Sequence, residues 1–322
     1  MTADPAIEPM AQDGADLSFI CGALRSGTTL LRIMVNHHPQ LSNPGEMDFL
    51  FETPPQKNGA PDLDRYLHEL SFNRVFQKLG FQPTPGQSHR ELIRELVRQL
   101  ARPGQTLSIN VHRNFSRIPD FFPQAKFIHL VRDPRDVARS AIGMGWAGNV
   151  YFGVDHWIAS ERDFEKLAAR LPPGRILRLR NEDLIAEPVV ELTRLCAYFG
   201  VGYDPAMLDY PASTTYAAPD PALIAQWRRQ LSPRDVGLIE GKAGAMLVAR
   251  GYQLSGHDPV IPGPAAHRAL RVQDRWARWR FAARRQGALL TLADMIARRL
   301  PPSPLSDFTR RLRAKRASRF LQ

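Results

Sequence analysis

Short apolar runs alternate with stretches of helical periodicity along most of the chain. Residues 17–21, 127–131 and 175–179 are short and mostly apolar, as in strands that are buried on both faces, and residues 106–111 are a further strand candidate. Between these runs, apolar residues recur at intervals of three and four, which predicts amphipathic helices. Strands that alternate with helices predict an α/β fold with a parallel sheet flanked by helices.

Helix boundaries are marked by capping residues, prolines and glycines. A Ser88-x-x-Glu91 capping box begins one helix, and Asp133 followed by Pro134 begins another. The predicted helices are, in chain order, 30–38, 62–79, 88–102, one that starts at 133–134, and 187–199.

Charge is distributed unevenly and divides the chain into parts. Residues 256–322 hold fifteen Lys or Arg and four Asp, which accounts for the whole net charge of +11, and the preceding residues hold 28 basic and 28 acidic side chains. We therefore predict a disordered tail over 1–16, a main domain over 17–255 and a basic helical extension over 256–322. A neutral main domain gives no reason to expect a nucleic-acid partner.

Length and composition indicate a globular protein of the cytoplasm. The chain has 322 residues, 43% of them hydrophobic, which is enough for a full core. It has no apolar run of about 18 residues, so no membrane-spanning helix is predicted. Residues 1–16 lack the features of a secretion signal. Cys21 and Cys196 lie in apolar stretches, which favours buried thiols in a reducing compartment over a disulfide or a metal site.

The loop between the first strand and the first helix carries groups that bind anions. Backbone N–H groups converge at a helix start, where the helix dipole favours negative charge, and Gly27 allows close approach. The side-chain donors are Arg25, Ser26, Thr28 and Thr29. The alternative is a tight turn that binds no ligand. Such a turn needs no cation, so the presence of Arg25 favours an anion-binding loop.

The spacing of Gly22 and Gly27 matches a nucleotide P-loop, G-x-x-x-x-G-K-[ST], but Thr28 occupies the position of the essential Lys. A P-loop-type small-molecule kinase is therefore an alternative that lacks a central residue.

A second anion site is predicted where the third strand ends. Arg132 ends that strand, and Ser140 lies seven residues beyond the Asp133 cap, close to two helical turns. Arg132 and Ser140 therefore face the same side and are able to share one phosphate. The alternative is a salt bridge between Arg132 and Asp133 that caps the helix.

Both motifs resemble those of sulfotransferases that use 3′-phosphoadenosine-5′-phosphosulfate (PAPS). Arg25-Ser26-Gly27-Thr28-Thr29 resembles their 5′-phosphosulfate loop, Arg132 with Ser140 resembles their 3′-phosphate motif, and residues 30–46 resemble the protein-tyrosine and carbohydrate branches. The resemblance covers residues 17–252. It implies a P-loop-like sheet, no metal, and transfer of a sulfuryl group to a hydroxyl of a carbohydrate, lipid, peptide tyrosine or small molecule.

Sulfuryl transfer requires stabilisation of the leaving phosphate and a base for the acceptor hydroxyl. Arg25 is predicted to meet the negative charge. Glu46 resembles the catalytic Glu of the protein-tyrosine and glycan branches, and His112 falls where the cytosolic branch has its catalytic His. Both remain candidates for the base.

Three positions depart from the family pattern or extend it. Asn110 stands where a Lys is usual, and Arg113 is a candidate substitute. Asn181 replaces a Tyr that packs on adenine, and we expect it to hydrogen-bond the base instead. Arg228, in a Trp-Arg-x-x-Leu motif, is predicted to approach the 3′-phosphate. These departures leave open a catalytically inactive nucleotide-binding module.

The basic extension and the region after Glu46 leave further alternatives open. Trp276 and Trp279 lie one turn apart among arginines, which suits either peripheral contact with a membrane or packing on the domain or a second subunit. The aromatic side chains of residues 46–104 either bind the acceptor or form core. They are Phe49, Phe51, Tyr66, Phe72, Phe76 and Phe81.

Overall fold

The computed structural model describes residues 13–57 and 59–297. The described strands are β1 (Leu17–Cys21), β2 (Leu41–Ser42), β3 (Gln56–Lys57), β4 (Ala60–Pro61), β5 (Thr106–Val111), β6 (Lys126–Val131) and β7 (Ile176–Arg180). Five of them form a parallel sheet in the order β2-β5-β1-β6-β7, and β3 and β4 form a separate antiparallel pair. The predicted α/β fold is confirmed.

Helices connect the strands and cover both faces of the sheet. The described α-helices are α1 (Thr28–Asn36), α2 (Leu63–Leu70), α3 (Arg74–Leu79), α4 (His89–Arg98), α5 (Ile118–Phe121), α6 (Pro134–Gly143), α7 (Val150–Gly153), α8 (Asp155–Ala168), α9 (Asn181–Ala186), α10 (Pro188–Phe199), α11 (Trp227–Gln230), α12 (Pro233–Ala249), α13 (Pro264–Gln286) and α14 (Ala288–Ala297).

The core lies on both sides of the central strand. All five residues of β1 are buried. Phe19 packs with aromatic side chains on one face, including Phe51 and Phe127 at centroid distances of 5.5 and 6.0 Å. Ile20 points to the opposite face, into a cluster that contains residues of α1 and α10. Burial on both faces explains the continuous apolar runs of the sequence.

One predicted helix, 62–79, is wrong as a single element, because the structure has α2 and α3 in its place. Asn73 lies between them with extended backbone, and its side chain accepts hydrogen bonds from the N–H groups of Val75 and Phe76. A side chain that caps a new helix start favours ending the previous helix. The Ser88-Glu91 capping box is present as predicted.

The ends of the chain are described in part. Residues 13–16 form a turn in which the carbonyl of Asp13 accepts a hydrogen bond from Gln124 N–H, whereas residues 1–12 of the expected tail lie outside the described residues. The extension is helical over α13 and α14, and its residues 298–322 also lie outside. Cys21 and Cys196 are buried free thiols. Of the helices described, none is long and apolar enough to cross a membrane.

Candidate active site

The predicted site residues lie at the carboxyl ends of four adjacent strands. The loop with Arg25 follows β1, His112 follows β5, Arg132 follows β6 and Asn181 follows β7. Ligands of open parallel sheets bind at this edge, because loops and helix starts converge there.

The loop after β1 needs glycine at its last position. Gly27 has a φ of 89°, and a Cβ atom built on it would lie 1.9 Å from the side-chain oxygen of Asn181. Arg25 also adopts a left-handed conformation, with a φ of 73°. Asn181 is buried and packs directly against Gly27, so it supports the loop. Its hydrogen bond to the adenine base remains a prediction.

Two buried polar groups of the site have no hydrogen-bond partner in the structure. They are the Ser26 hydroxyl and the Arg132 Nε group. Buried polar groups are normally paired, so donors left open at a helix start fit a bound anion. Ser26 precedes α1, and Thr28 and Thr29 are its first two residues, so all three lie at the N-terminal end of this helix.

The two predicted anion anchors lie side by side. Arg25 Nε donates to the Ser140 hydroxyl at 2.9 Å, and Arg132 Nη1 donates to the Arg25 carbonyl at 3.0 Å. Although the Arg25 side chain is exposed, the partial desolvation of its guanidinium and the neighbouring charge of Arg132 lower the pKa of Arg25. Among the described residues, neither guanidinium has an acidic partner within ion-pair distance. Two adjacent cations without a direct ion pair fit the multiple phosphates of a nucleotide.

The salt bridge considered for Arg132 is made by a different arginine. Arg135 contacts the Asp133 carboxylate at 2.7 Å and the Glu240 carboxylate at 2.7 Å. Asp133 also caps α6 by accepting from the Arg135 N–H. The alternative that Arg132 pairs with Asp133 is therefore wrong, and Arg132 keeps a free side of its guanidinium.

His112 is the centre of a hydrogen-bonded group that joins β5 to α1. Its Nδ1 lies 3.1 Å from Asp48 Oδ2, and its backbone N–H donates to Asp48 Oδ1 at 2.6 Å. Its Nε2 lies 3.1 Å from the Thr28 hydroxyl and 4.0 Å from Glu46 Oε1. The two candidate bases, Glu46 and His112, are thus neighbours.

Asp48 was not predicted from the sequence. Burial alone would raise its pKa, but the hydrogen bonds and charge of His112, together with Arg113, lower it. Its carboxylate accepts only, so it fixes Nδ1 of His112 as a proton-bearing nitrogen. The signal available was its position two residues after Glu46, but carboxylates are common near any helix start, and no spacing linked it to β5.

Glu46 is held in place by β5. Glu46 and Asn110 form a parallel bridge, in which Met47 N–H donates to the Asn110 carbonyl at 2.9 Å. The Asn110 side chain donates to the Thr28 carbonyl at 3.0 Å, so it connects the same strand to α1. Arg113 pairs with Asp48 and Glu52, which leaves little of it for a substrate.

Arg228 lies on α11, next to the second anchor. The guanidinium carbons of Arg135 and Arg228 lie 3.8 and 4.8 Å from the centre of the Trp227 ring. The backbone N–H of Trp227 donates to the carboxylate of Asp136 in α6. Arg228 is exposed and belongs to a helix that packs on the helix of Ser140. Its approach to a 3′-phosphate stays a prediction.

Most aromatic side chains after Glu46 form core instead of lining a pocket. Phe49, Phe51, Tyr66 and Phe81 are buried in one apolar cluster, and Phe76 packs against it. A cavity of about 490 Å³ is lined by the segment before α4, by α4 side chains and by Phe122, and by none of the predicted site residues. It is therefore separate from the candidate active site.

Comparison with known proteins agrees with this geometry. The family model described as the sulfotransferase family matches residues 18–205. An omega-hydroxy-beta-dihydromenaquinone-9 sulfotransferase of Mycobacterium bovis is 29% identical over 45% of this chain, and an uncharacterized protein of Aquifex aeolicus is 26% identical over 60%. The matches cover 40% and 26% of those relatives' own lengths.

A solved structure extends the similarity to the fold. The sulfotransferase domain of the olefin synthase of Synechococcus PCC 7002 is 25% identical and superposes with a TM-score of 0.54, covering 76% of this chain and 98% of that domain. The family match spans more than half of the chain and includes Arg25, Glu46, His112, Arg132 and Ser140. The chain therefore belongs to the sulfotransferase family.

Proposed function

We propose that this protein transfers the sulfuryl group of PAPS to a hydroxyl group of an acceptor. The observation that carries the proposal is the adjacent pair of cations, Arg25 and Arg132, which form no ion pair with the described residues and lie near the Glu46–His112 pair at one edge of the sheet. An anion site next to a base is what transfer from an anionic donor to a hydroxyl requires.

The donor side is assigned to the loop after β1 and to the start of α6. The open hydroxyl of Ser26 and the N–H groups at the start of α1 hold the 5′-phosphosulfate, and Arg132 with Ser140 holds the 3′-phosphate. Arg25 contacts Ser140 in this structure and is exposed, so its side chain is able to turn toward the bridging oxygen when the donor is bound. There it stabilises the charge of the leaving phosphate.

On the acceptor side, accessibility favours Glu46 as the base. Its side chain is 48% exposed, whereas that of His112 is 1% exposed and both ring nitrogens of His112 already have partners. Glu46 takes the hydroxyl proton while the acceptor oxygen bonds to sulfur and the bond between sulfur and the phosphate oxygen breaks. His112, held by Asp48, lies behind Glu46, with Nε2 4.0 Å from the Glu46 carboxylate and 3.1 Å from the Thr28 hydroxyl.

We also propose a lipid hydroxyl as the first acceptor to test. A relative is named for its action on an omega-hydroxy-beta-dihydromenaquinone, and the aromatic side chains that suit a sugar are mostly buried here. A cytoplasmic location is proposed with it, supported by the two buried free thiols.

The test is transfer of label from ³⁵S-PAPS to hydroxylated menaquinone, glycan, peptide and phenol pools. We expect labelled product with at least one pool, and loss of about 100- to 1,000-fold in rate for Arg25→Ala and a similar large loss for Glu46→Gln. ATP labelled in the γ-phosphate serves as the competing donor. Transfer of phosphate from ATP, with no transfer from PAPS, would establish the kinase alternative and reject the proposal.

A further inference from the structure

One face of helix α13 packs against the main domain. Leu270, Asp274, Ala277 and Phe281 recur at intervals of three and four, so they share one side of the helix. Asp274 is buried and accepts a hydrogen bond from Gly148 N–H at 2.7 Å. The contact is close, because a Cβ on Gly148 would lie 2.7 Å from the Ala277 Cβ. This face fixes the helix against the segment after α6.

The opposite face of α13 is apolar and exposed. Val272, Trp276 and Trp279 lie about half a turn away from the packed face. Trp276 is 56% exposed and Trp279 is 41% exposed. Several apolar side chains of α14, among them Leu289 and Leu292, are exposed as well. Large apolar side chains grouped on an outer surface mark an interaction site.

A row of arginines borders this apolar face. Arg268, Arg271 and Arg275 are exposed, follow one side of α13 at intervals of three and four, and form no ion pair with the described residues. Helix α13 has seven arginines and a single acid, the buried Asp274, whose ion pair is with Arg278. The row of three arginines therefore keeps its positive charge at the outward surface.

We propose that this outer face of α13 and α14, the extension surface, binds anionic phospholipid at a membrane surface. Tryptophan and leucine next to arginine is the combination that inserts at the lipid headgroup level while cations contact phosphates. A second copy of the chain fits less well, because a twofold interface with antiparallel α13 helices would bring the arginine rows of both copies together. The proposal is independent of the reaction that the active site performs.

The test is co-sedimentation of the full chain with vesicles of phosphatidylcholine alone and of phosphatidylcholine with phosphatidylglycerol. We expect binding to the anionic vesicles that weakens with salt. Replacing Arg268, Arg271 and Arg275 with Gln should reduce the partition by about 100-fold, from about fivefold for each charge near the surface. The variant Trp276→Ala/Trp279→Ala should also lose most binding, although it keeps every charge.

A matched control removes three positive charges elsewhere. Arg90, Arg102 and Arg162 are exposed residues of the main domain, and their replacement with Gln should leave vesicle binding unchanged. Thermal melting of each variant verifies that it is folded. An equal loss in the control, wild-type binding that needs no anionic lipid, or undiminished binding of the tryptophan variant would each overturn the proposal. So would a dimer in solution that the tryptophan variant abolishes while vesicle binding is absent.

Discussion

Replacing Asp48 with Asn tests the hydrogen-bonded group behind Glu46. The amide oxygen of the Asp48→Asn variant would still accept the backbone N–H of His112, so the loop should keep its shape. The amide nitrogen, however, is a donor, and it would face Nδ1 of His112, which also carries a proton. The imidazole must then release that proton or lose the contact.

The size of the effect follows from the charge-assisted hydrogen bond between the Asp48 carboxylate and Nδ1 of His112, which neither outcome preserves. A hydrogen bond to a charged group contributes about 1.5–3 kcal/mol, and every 1.4 kcal/mol corresponds to about tenfold in rate. We therefore expect kcat/KM for sulfuryl transfer to fall by roughly 10- to 150-fold. Affinity for 3′-phosphoadenosine-5′-phosphate should not change, because Asp48 does not contact Arg25 or Arg132.

The matched control is Glu52→Gln. Glu52 pairs with Arg113, as Asp48 does, but it does not contact His112. Nitrogen-15 NMR of labelled histidine, assigned with His112→Asn, reports the ring directly: Nδ1 should carry a proton in the wild type and lose it in Asp48→Asn. Equal kcat/KM for Asp48→Asn and Glu52→Gln, or an unchanged Nδ1 signal, would refute the role of Asp48.

Two further substitutions test the loop and the core. Gly27→Ala should abolish nucleotide binding in calorimetry, because its Cβ meets the Asn181 side chain and its φ is left-handed; retained affinity would contradict the tight loop. Glu161→Gln should lower the free energy of unfolding, measured in urea, by about 3 kcal/mol, because it removes the buried negative partner of Arg250. Glu165 is an exposed partner of the same arginine, so Glu165→Gln should lower that free energy by less than about 1 kcal/mol. Burial raises the pKa of Glu161, but the hydrogen bonds from its partners outweigh burial and lower the pKa overall. The stabilisation by Glu161 is therefore present above the ordinary glutamate pKa of about 4.3 and is lost as pH falls below it. Glu161→Gln should flatten the acid side of the plot of stability against pH, and an unchanged plot would contradict this.

The fold could be predicted from local sequence, because a buried strand is recognisable from the apolar residues that it contains. The run 17–21 and the glycine-containing loop after it define a strand, a turn and a helix without reference to the rest of the chain. The division of 62–79 was missed because it depends on which of two competing hydrogen-bond patterns Asn73 adopts. Apolar periodicity does not report that choice.

Contacts between distant segments were harder to predict. Arg25 and Ser140 were expected at two separate phosphates, but they touch, because β1 and β6 are neighbours in the sheet. Asp48 reaches His112 only because β5 brings residue 112 beside the segment that follows β2. Sequence motifs mark residues that match a family pattern. They do not mark a supporting side chain that depends on strand order.

The central claim is that Arg25 and Arg132 bind the phosphates of a 3′-phosphorylated nucleotide. Titration calorimetry with 3′-phosphoadenosine-5′-phosphate tests it most directly, with Arg162→Ala as an exposed control. We predict that Arg25→Ala and Arg132→Ala each weaken binding by at least about tenfold, and that AMP, which lacks the 3′-phosphate, binds the wild type more weakly. Unchanged affinity in both arginine variants would contradict the account.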